Sequence, residues 1–137
     1  MYLYLLFKEM QAANGQAAAA MAGRAIFKYG QAKARAMERM TTPADFVRHQ
    51  MRPGREGIFE KEAVAAGDER GEVRFHYCPL VQAWQRLGAT REELALLCDI
   101  AMQADFGMVS DAPFDLEIAG SIARGDRYCR LIVKARK

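Results

Sequence analysis

Apolar residues in the first half of the chain recur at the three- and four-residue steps of an α-helix. Residues 2–12 fit a short helix or an edge strand, and the helix is favoured. Residues 16–40, rich in Ala, Met, Lys and Arg, predict a longer amphipathic helix. Thr42-Pro43 has the form of a helix start, with Thr42 as N-cap and Pro43 at the first helical position. Residues 57–66 predict one more short helix.

The pattern changes to a period of two at residue 72. In residues 72–77 polar and apolar side chains alternate strictly, which predicts a half-buried β-strand. Pro79 stops this strand and opens a short helix that runs through Leu87. The segment Thr90-Arg-Glu-Glu93 has the form of a capping box, and it opens a longer helix that reaches about Phe106.

Two more alternating segments lie at residues 114–122 and 128–135, and the Gly-Asp turn between them predicts a C-terminal β-hairpin. The order is therefore N-terminal helices, then a strand, two helices and the hairpin. Because strands and helices are segregated along the chain, this order predicts an α+β fold. We expect a small three-stranded antiparallel sheet with one face covered by helices.

The length of 137 residues is that of one domain. Hydrophobic residues make up 51% of the chain and charged residues 27%, which excludes the disordered and fibrous classes. We predict a single domain over residues 1–137. Residues 1–66 would form a mainly helical part, and residues 67–137 an α+β part that carries all three cysteines.

The formal net charge is +3, and several basic residues fall in the Ala-rich predicted helix. They are Lys28, Lys33, Arg35 and Arg39. A solvated helix face explains them better than a nucleic-acid surface, which usually has aromatic residues nearby. The apolar start of the chain is too short to span a membrane and lacks the basic region of a signal peptide. We therefore predict a cytoplasmic protein with no nucleic-acid or membrane partner.

The three cysteines are the clearest candidates for chemistry, and their odd number and wide spacing predict reduced thiols. Cys78 lies between the predicted strand and helix, at an N-cap position directly before Pro79. Unpaired backbone N–H groups and the helix dipole favour the nucleophilic thiolate at such a position. The alternative, a small buried hydrophobic residue, stays equally open.

Cys98 lies within the capping-box helix, and Asp105, seven residues further on, falls on the same face. A carboxylate on an apolar face needs a partner or a chemical role. The alternative is that Asp105 reaches water at the helix end. Asp99 lies at the flank of this face, and Trp84, on the preceding helix, has the spacing of a core residue.

Cys129 faces the apolar side of the last predicted strand, where it is either a core residue or part of a site. Asp126 lies in the hairpin turn, where turn chemistry alone explains an aspartate. His76 shares the polar side of its strand with Glu72 and Arg74, which favours an exposed histidine over a catalytic base.

These residues resemble, in order, the L-2-amino-thiazoline-4-carboxylic acid hydrolase family. The matching positions are His76-Tyr-Cys-Pro-Leu80, Trp84, Leu87-Gly88, Leu97-Cys-Asp99, Asp105, Gly125-Asp126 and Cys129. The clear part of the resemblance runs from about Phe75 to Val133. It implies a hydrolase that opens a small cyclic isothiourea at a cyclic C–N bond, toward carbamoyl-cysteine, as a step of cysteine biosynthesis.

The resemblance also implies site residues, with a small molecule as the substrate. We expect the catalytic residues to be Cys78, Cys98, Asp105 and Cys129. We expect substrate contacts from His76, Asp99 and Asp126. Cys78 would be the nucleophile on the ring carbon between sulfur and nitrogen, and Asp105 or Asp99 would carry protons. No cofactor is expected, and zinc held by the thiols is the alternative.

A more distant similarity to the 4-vinyl reductase type of small-ligand-binding domain gives an alternative function. The chain would then be a non-catalytic small-ligand-binding or metal-binding sensor. Assembly of a homo-oligomer through the Ala-rich helix also stays open. The thiol site predicts that at least two of the three cysteine sulfurs share one pocket.

Overall fold

The computed structural model describes residues 2–53 and 57–136. In chain order the elements are α1 (Tyr2–Asn14), α2 (Ala17–Arg35), α3 (Pro43–Gln50), β1 (Lys61–Ala66), β2 (Arg70–Phe75), α4 (Pro79–Arg86), α5 (Arg91–Met108), β3 (Phe114–Gly120) and β4 (Cys129–Ala135). A short 3-10 helix lies at Ile122–Arg124. These elements confirm the α+β class and the C-terminal antiparallel hairpin of β3 and β4.

The chain divides into two compact units. The helical unit comprises Met1–Met37 and Leu80–Ser110, and the sheet unit comprises Glu38–Pro79 and Asp111–Lys137. The prediction of a single domain stays a prediction. In the described ranges, no helix is both long enough and apolar enough to cross a bilayer.

The helical unit is built around the close packing of α2 against α5. Gly30 of α2 lies against the backbone of Ala104, and Gly107 of α5 lies against the backbone of Phe27. A Cβ atom at either glycine would overlap a carbonyl oxygen of the other helix, so both positions need glycine for close approach. Helix α2 continues through Gly30 and ends at Arg35, earlier than the predicted end at residue 40.

The sheet unit contains a four-stranded antiparallel sheet with the strand order β1-β2-β4-β3. Helix α3 covers one face, where a Cβ atom at Gly71 would meet the side chains of Val47 and Val133. On the same side the rings of Phe46 and Phe114 meet edge to face, with centroids 6.3 Å apart. The helix-covered sheet agrees with the prediction, except that it has four strands instead of three.

The fourth strand comes from the segment predicted as a helix, so that prediction is wrong. Residues 57–60 form a turn and Lys61–Ala66 is strand β1. Its Lys-Glu-Ala-Val-Ala-Ala sequence has a moderate local preference for helix. Antiparallel pairing with β2, in which Lys61 lies opposite Phe75, overrides that preference.

The predicted helix starts are confirmed by their hydrogen bonds. Thr42 and Asp45 form a complete capping box before α3, with Pro43 in the first turn. Thr90 and Glu93 form the same arrangement at the start of α5. Each box satisfies backbone N–H groups that the helix itself leaves without acceptors, so these two helices begin at sharply defined residues.

Candidate functional site

Four of the predicted site residues lie on the two chain segments that adjoin one end of the sheet. Phe75, the last residue of β2, pairs with Cys129, the first residue of β4. Segment 76–78 therefore leaves the sheet at the end where the loop 121–128 enters it. The predicted site residues at this end are His76, Cys78, Asp126 and Cys129.

Cys78 directly precedes Pro79, the first residue of α4, as the sequence predicts. Its side chain is half-buried, and like the other two cysteines it is a thiol and not part of a disulfide. Backbone N–H groups in the first turn of a helix have no acceptor within the helix, and the helix dipole adds positive potential there. This position therefore suits a thiolate better than the middle of a strand or helix would.

Cys129 is buried, and its sulfur accepts a hydrogen bond from the backbone N–H of Ile122 at 3.3 Å. Alternation along β4 places Cys129 on the same sheet face as Leu131 and Val133, which are core residues. The sulfur thus ties the start of the 3-10 helix to the start of β4. The core position that the sequence left open for Cys129 is observed, and a catalytic role stays a prediction.

Asp126 closes the loop between β3 and β4. Its Oδ2 accepts a hydrogen bond from the backbone N–H of Ser121 at 2.8 Å, and its own N–H donates to the Ser121 carbonyl at 3.0 Å. Asp126 is exposed, so these bonds hold a loop at the surface. Its geometry is that of a turn-forming aspartate, and its contact with a substrate stays a prediction.

His76 is exposed and lies among polar and aromatic side chains of the sheet. Its Nε2 lies 3.0 Å from Oε1 of Glu62, and its ring centroid lies 5.4 Å from that of Tyr128. The ring of Tyr128 in turn stacks on the guanidinium of Arg74, with 4.8 Å between the centroid and Cζ. His76 therefore borders a surface able to meet a polar ligand, and its binding role stays a prediction.

The remaining predicted site residues belong to the helical unit, on α5. Cys98 and Asp105 are both half-buried, and their separation of seven residues on one continuous helix places them on the same face. Asp99 is exposed. The catalytic roles of these residues, and the convergence of the three sulfurs, stay predictions.

Metal binding depends on donors that gather around one point. Among residues 2–53 and 57–136, no three His, Cys, Asp or Glu side chains are grouped closely enough to hold a metal ion. The zinc alternative stays a prediction.

The polar face of the sheet holds a buried carboxylate that the sequence pattern assigned to a solvent-facing side. Glu72 is 2% exposed, and its two oxygens accept hydrogen bonds from Arg70, Arg74 and Arg130 at 2.8 to 3.2 Å. Arg130 donates to both oxygens, so it forms a bidentate pair across β2 and β4. Hydrogen bonds from Arg130 above all, then Arg74 and Arg70, lower the pKa of Glu72 to about 2, against the opposing effect of burial.

The helical unit carries a groove of about 720 Å³ between α2 and α5. Small residues of α2, among them Ala20 and Gly23, leave room beside Phe27 and Ile100. Polar side chains also line the groove, and they are Arg24, Lys28, Gln31, Asp99 and Gln103. A groove of this volume has the size of a small-molecule site.

The comparisons with known proteins agree with the resemblance drawn from the cysteine motifs. The chain matches the family model of L-2-amino-thiazoline-4-carboxylic acid hydrolase over residues 1–133, which includes the N-terminal helices. Among solved structures, its fold is similar to the phenol-responsive sensory domain of the transcription activator PoxR, solved with phenol. That likeness has a TM-score of 0.55 and 14% identity, and it covers 98% of this chain and 73% of the other. No curated relative matches the chain.

Proposed function

We propose that this chain, which belongs to the L-2-amino-thiazoline-4-carboxylic acid hydrolase family, adds water to a 2-aminothiazoline-4-carboxylate or a close analogue. The product would be a carbamoyl-cysteine. The observation that carries the proposal is the family match over residues 1–133. Cys78, the proposed nucleophile, directly precedes the first residue of α4. A nucleophile at that position has the polarity of the helix end to stabilise its anion.

The chemistry follows from the electrophilic ring carbon between sulfur and nitrogen. Attack by the Cys78 thiolate forms a new C–S bond at that carbon, and one ring bond to the carbon then breaks while the departing ring atom takes up a proton. Water next attacks the same carbon, and the Cys78 thiolate leaves. The sum is the addition of one water. Cleavage of the ring C–S bond leaves an N-carbamoyl product, and cleavage of the ring C–N bond leaves an S-carbamoyl product.

A carboxylate would assist by moving protons between the ring nitrogen, the attacking water and the departing atom. The carboxylates that the sequence suggests for this role, Asp105 and Asp99, both lie on α5, where Asp105 is half-buried and Asp99 is exposed. In the sheet unit, Cys129 and Asp126 hold the loop 121–128 by their bonds to Ile122 and Ser121. They would keep that end of the sheet in one arrangement during turnover.

Mass spectrometry tests the proposal directly. Incubation with 2-aminothiazoline-4-carboxylate in ¹⁸O-water should yield a product heavier by one labelled water. Intact-protein spectra should show an adduct with the mass of the substrate, because thiol addition and ring opening lose no atoms. Cys78→Ala should abolish turnover and the adduct, whereas Cys98→Ala should retain the adduct. Folded wild-type protein without turnover of this or related cyclic amidines would refute the proposal.

A second candidate function, a small-ligand sensor without catalysis, is favoured by the groove between α2 and α5. Its volume of about 720 Å³ and its largely apolar lining suit a small organic ligand. The similar PoxR domain responds to phenol. A ligand-induced rise in melting temperature with no product in the mass spectrum would favour this function over hydrolysis. Gly23→Leu, which fills the groove, should weaken such binding.

A further inference from the structure

We propose that the groove between α2 and α5 is covered by the same groove of a second copy of this chain, in a symmetric dimer. The inference rests on the helical unit alone and does not depend on the proposed hydrolysis. Such a dimer would fill the surface that the small-ligand function needs, so the two uses of the groove exclude each other.

The floor of the groove is apolar. It is formed by small residues of α2 and by larger side chains of both helices, which are Ala19, Ala20, Gly23, Phe27, Leu96 and Ile100. Ile100 is buried, but Phe27 and Leu96 are only half-buried and Ala20 is exposed. Apolar side chains that stay partly in water favour a partner that covers them.

The groove is elongated along the helices. Its lining on α2 runs from Ala19 to Gln31, a distance of about 18 Å at the rise of an α-helix. A molecule of the size of phenol would cover one part of this length. A helix laid along the groove would cover all of it, as in other interfaces where a helix occupies a groove.

The two sides of the groove carry opposite charges. Exposed Arg24 and Lys28 line the α2 side, and exposed Asp99 lines the α5 side. Each face continues with the same sign, because Arg35 lies seven residues after Lys28 and Glu92 lies seven residues before Asp99, and both are exposed. Helix α2 therefore has a basic edge along the groove, and α5 has an acidic one.

This distribution of charge fits a second copy of the chain in one orientation. A two-fold axis that runs along the groove places α2 of each copy on α5 of the other. Arg24 and Lys28 of one copy then lie near Asp99 of the partner subunit, and the same contact recurs in the other half of the interface. An axis across the groove would place α2 on α2 and bring like charges together. A ligand of a single charge would match only one side of the groove.

The size of the groove sets the expected strength of the dimer. A strip about 18 Å long and two helix diameters, about 20 Å, wide covers roughly 400 Å² on each copy. This is about half of what each partner contributes to a stable interface of standard size. We therefore expect a weak dimer, with a dissociation constant on the order of 100 µM.

Sedimentation velocity of the full chain, from about 10 µM to about 1 mM, tests the assembly. The average mass should rise with concentration toward twice that of the chain. Ala20→Glu puts a carboxylate on the apolar floor and should raise the dissociation constant at least about tenfold. Met21→Glu is the matched control, because Met21 is exposed on α2 but does not line the groove. A protein that stays monomeric, or a dimer that Ala20→Glu weakens no more than Met21→Glu does, would overturn the inference.

Charge reversal tests the orientation. Arg24→Glu combined with Lys28→Glu should weaken self-association, and so should Asp99→Lys, because like charges then meet across the two-fold axis. An equimolar mixture of these two variants, each shown to be folded by circular dichroism, should dimerise at least as well as wild type. In the mixed dimer, opposite charges face each other in both halves of the interface. A mixture that associates no better than either variant alone would overturn the proposed orientation.

Nuclear magnetic resonance separates a second copy from a small molecule in the groove. An amide resonance of Gly23 that shifts as the protein is diluted would support the dimer, because Gly23 lines the groove. A Gly23 amide that shifts with phenol in a protein that stays monomeric would make the groove a ligand site and overturn the inference. A dimer without turnover of 2-aminothiazoline-4-carboxylate would refute only the proposed hydrolysis, and turnover by a monomer would refute only the dimer.

Discussion

Replacing Glu72 by Gln removes the charge that holds three arginines together, and its cost can be worked out from the geometry. Glu72 is 2% exposed and accepts hydrogen bonds from Arg70, Arg74 and Arg130. Gln keeps the shape but offers one acceptor and turns an NH₂ group toward cations. Breaking a buried ion pair costs about 3–5 kcal/mol. The side chains of the three arginines are 29 to 44% exposed, so solvent screens part of the loss and we expect about 2–3 kcal/mol.

The pH dependence gives an independent estimate of the same quantity. The arginines lower the pKa of Glu72 from 4.5 to about 2. A depressed carboxyl pKa stabilises the folded state above the unfolded pKa, and this stabilisation is lost as the pH falls from about 4.5 toward 2. Because a shift of one pKa unit corresponds to about 1.36 kcal/mol, the lowered pKa of Glu72 would add about 3 kcal/mol to the free energy of unfolding. Screening by solvent reduces this contribution to about 2 kcal/mol. The difference in stability between wild type and Glu72→Gln should therefore shrink across this interval.

The assay is urea unfolding followed by circular dichroism at several pH values, with hydrogen exchange of the β2 and β4 amides to report on the sheet unit. Glu62→Gln is the matched control, because Glu62 is a strand carboxylate paired with His76 but its side chain is 56% exposed. It should change the unfolding free energy by less than about 0.5 kcal/mol. A Glu72→Gln effect that is equally small, or that stays constant between pH 5 and pH 2, would refute the reasoning.

Two further predictions concern packing and the loop. Gly30→Ala should destabilise the helical unit by about 3 kcal/mol or more in urea unfolding, because the new methyl group overlaps the backbone of α5. The control Gly23→Ala should be neutral or stabilising in the same titration, because the nearest atom to the new methyl group is Gln103 Cγ at 3.7 Å. Asp126→Ala should cost about 1 kcal/mol and raise the exchange rate of the Ser121 amide, which would lose its acceptor. An unchanged Ser121 exchange rate would show that another group holds this amide.

The sequence predicts best those features whose signals are local. Thr42 and Thr90 were identifiable as helix starts because the capping residues lie within one turn of each other. The strict alternation in residues 72–77 and 128–135 likewise predicted strands β2 and β4, because a period of two has no other common cause. These signals require no knowledge of the rest of the chain.

Strand β1 shows why a local signal fails. Its residues prefer helix weakly, and they become a strand because Lys61 to Ala66 pair with β2 beyond the turn at 67–69. That pairing depends on β2 having a free edge, which is a property of the sheet. The error about β1 also led to the expectation of three strands instead of four.

The role of Glu72 was missed for a related reason. Alternation correctly placed Glu72 and Arg74 on the polar side of the strand, but that side was assumed to be exposed to solvent. Arg130, 58 residues further on, lies opposite Arg74 and covers the carboxylate. The register of the predicted strands could have indicated this role. Pairing β2 with β4 brings Arg130 beside the alternate residues Arg70, Glu72 and Arg74.

The same register places two consecutive residues of β4, Cys129 and Arg130, on opposite faces of the sheet. Cys129 lies opposite Phe75 and faces the core, whereas Arg130 lies opposite Arg74 and faces Glu72. Neighbouring residues of a strand point to opposite faces, so the sulfur that holds Ile122 and the guanidinium that holds Glu72 are on different sides of the same two strands. Loss of the Glu72 cluster should therefore weaken the pairing of β2 with β4 as a whole. The bond from Ile122 to Cys129 should persist for as long as that pairing does.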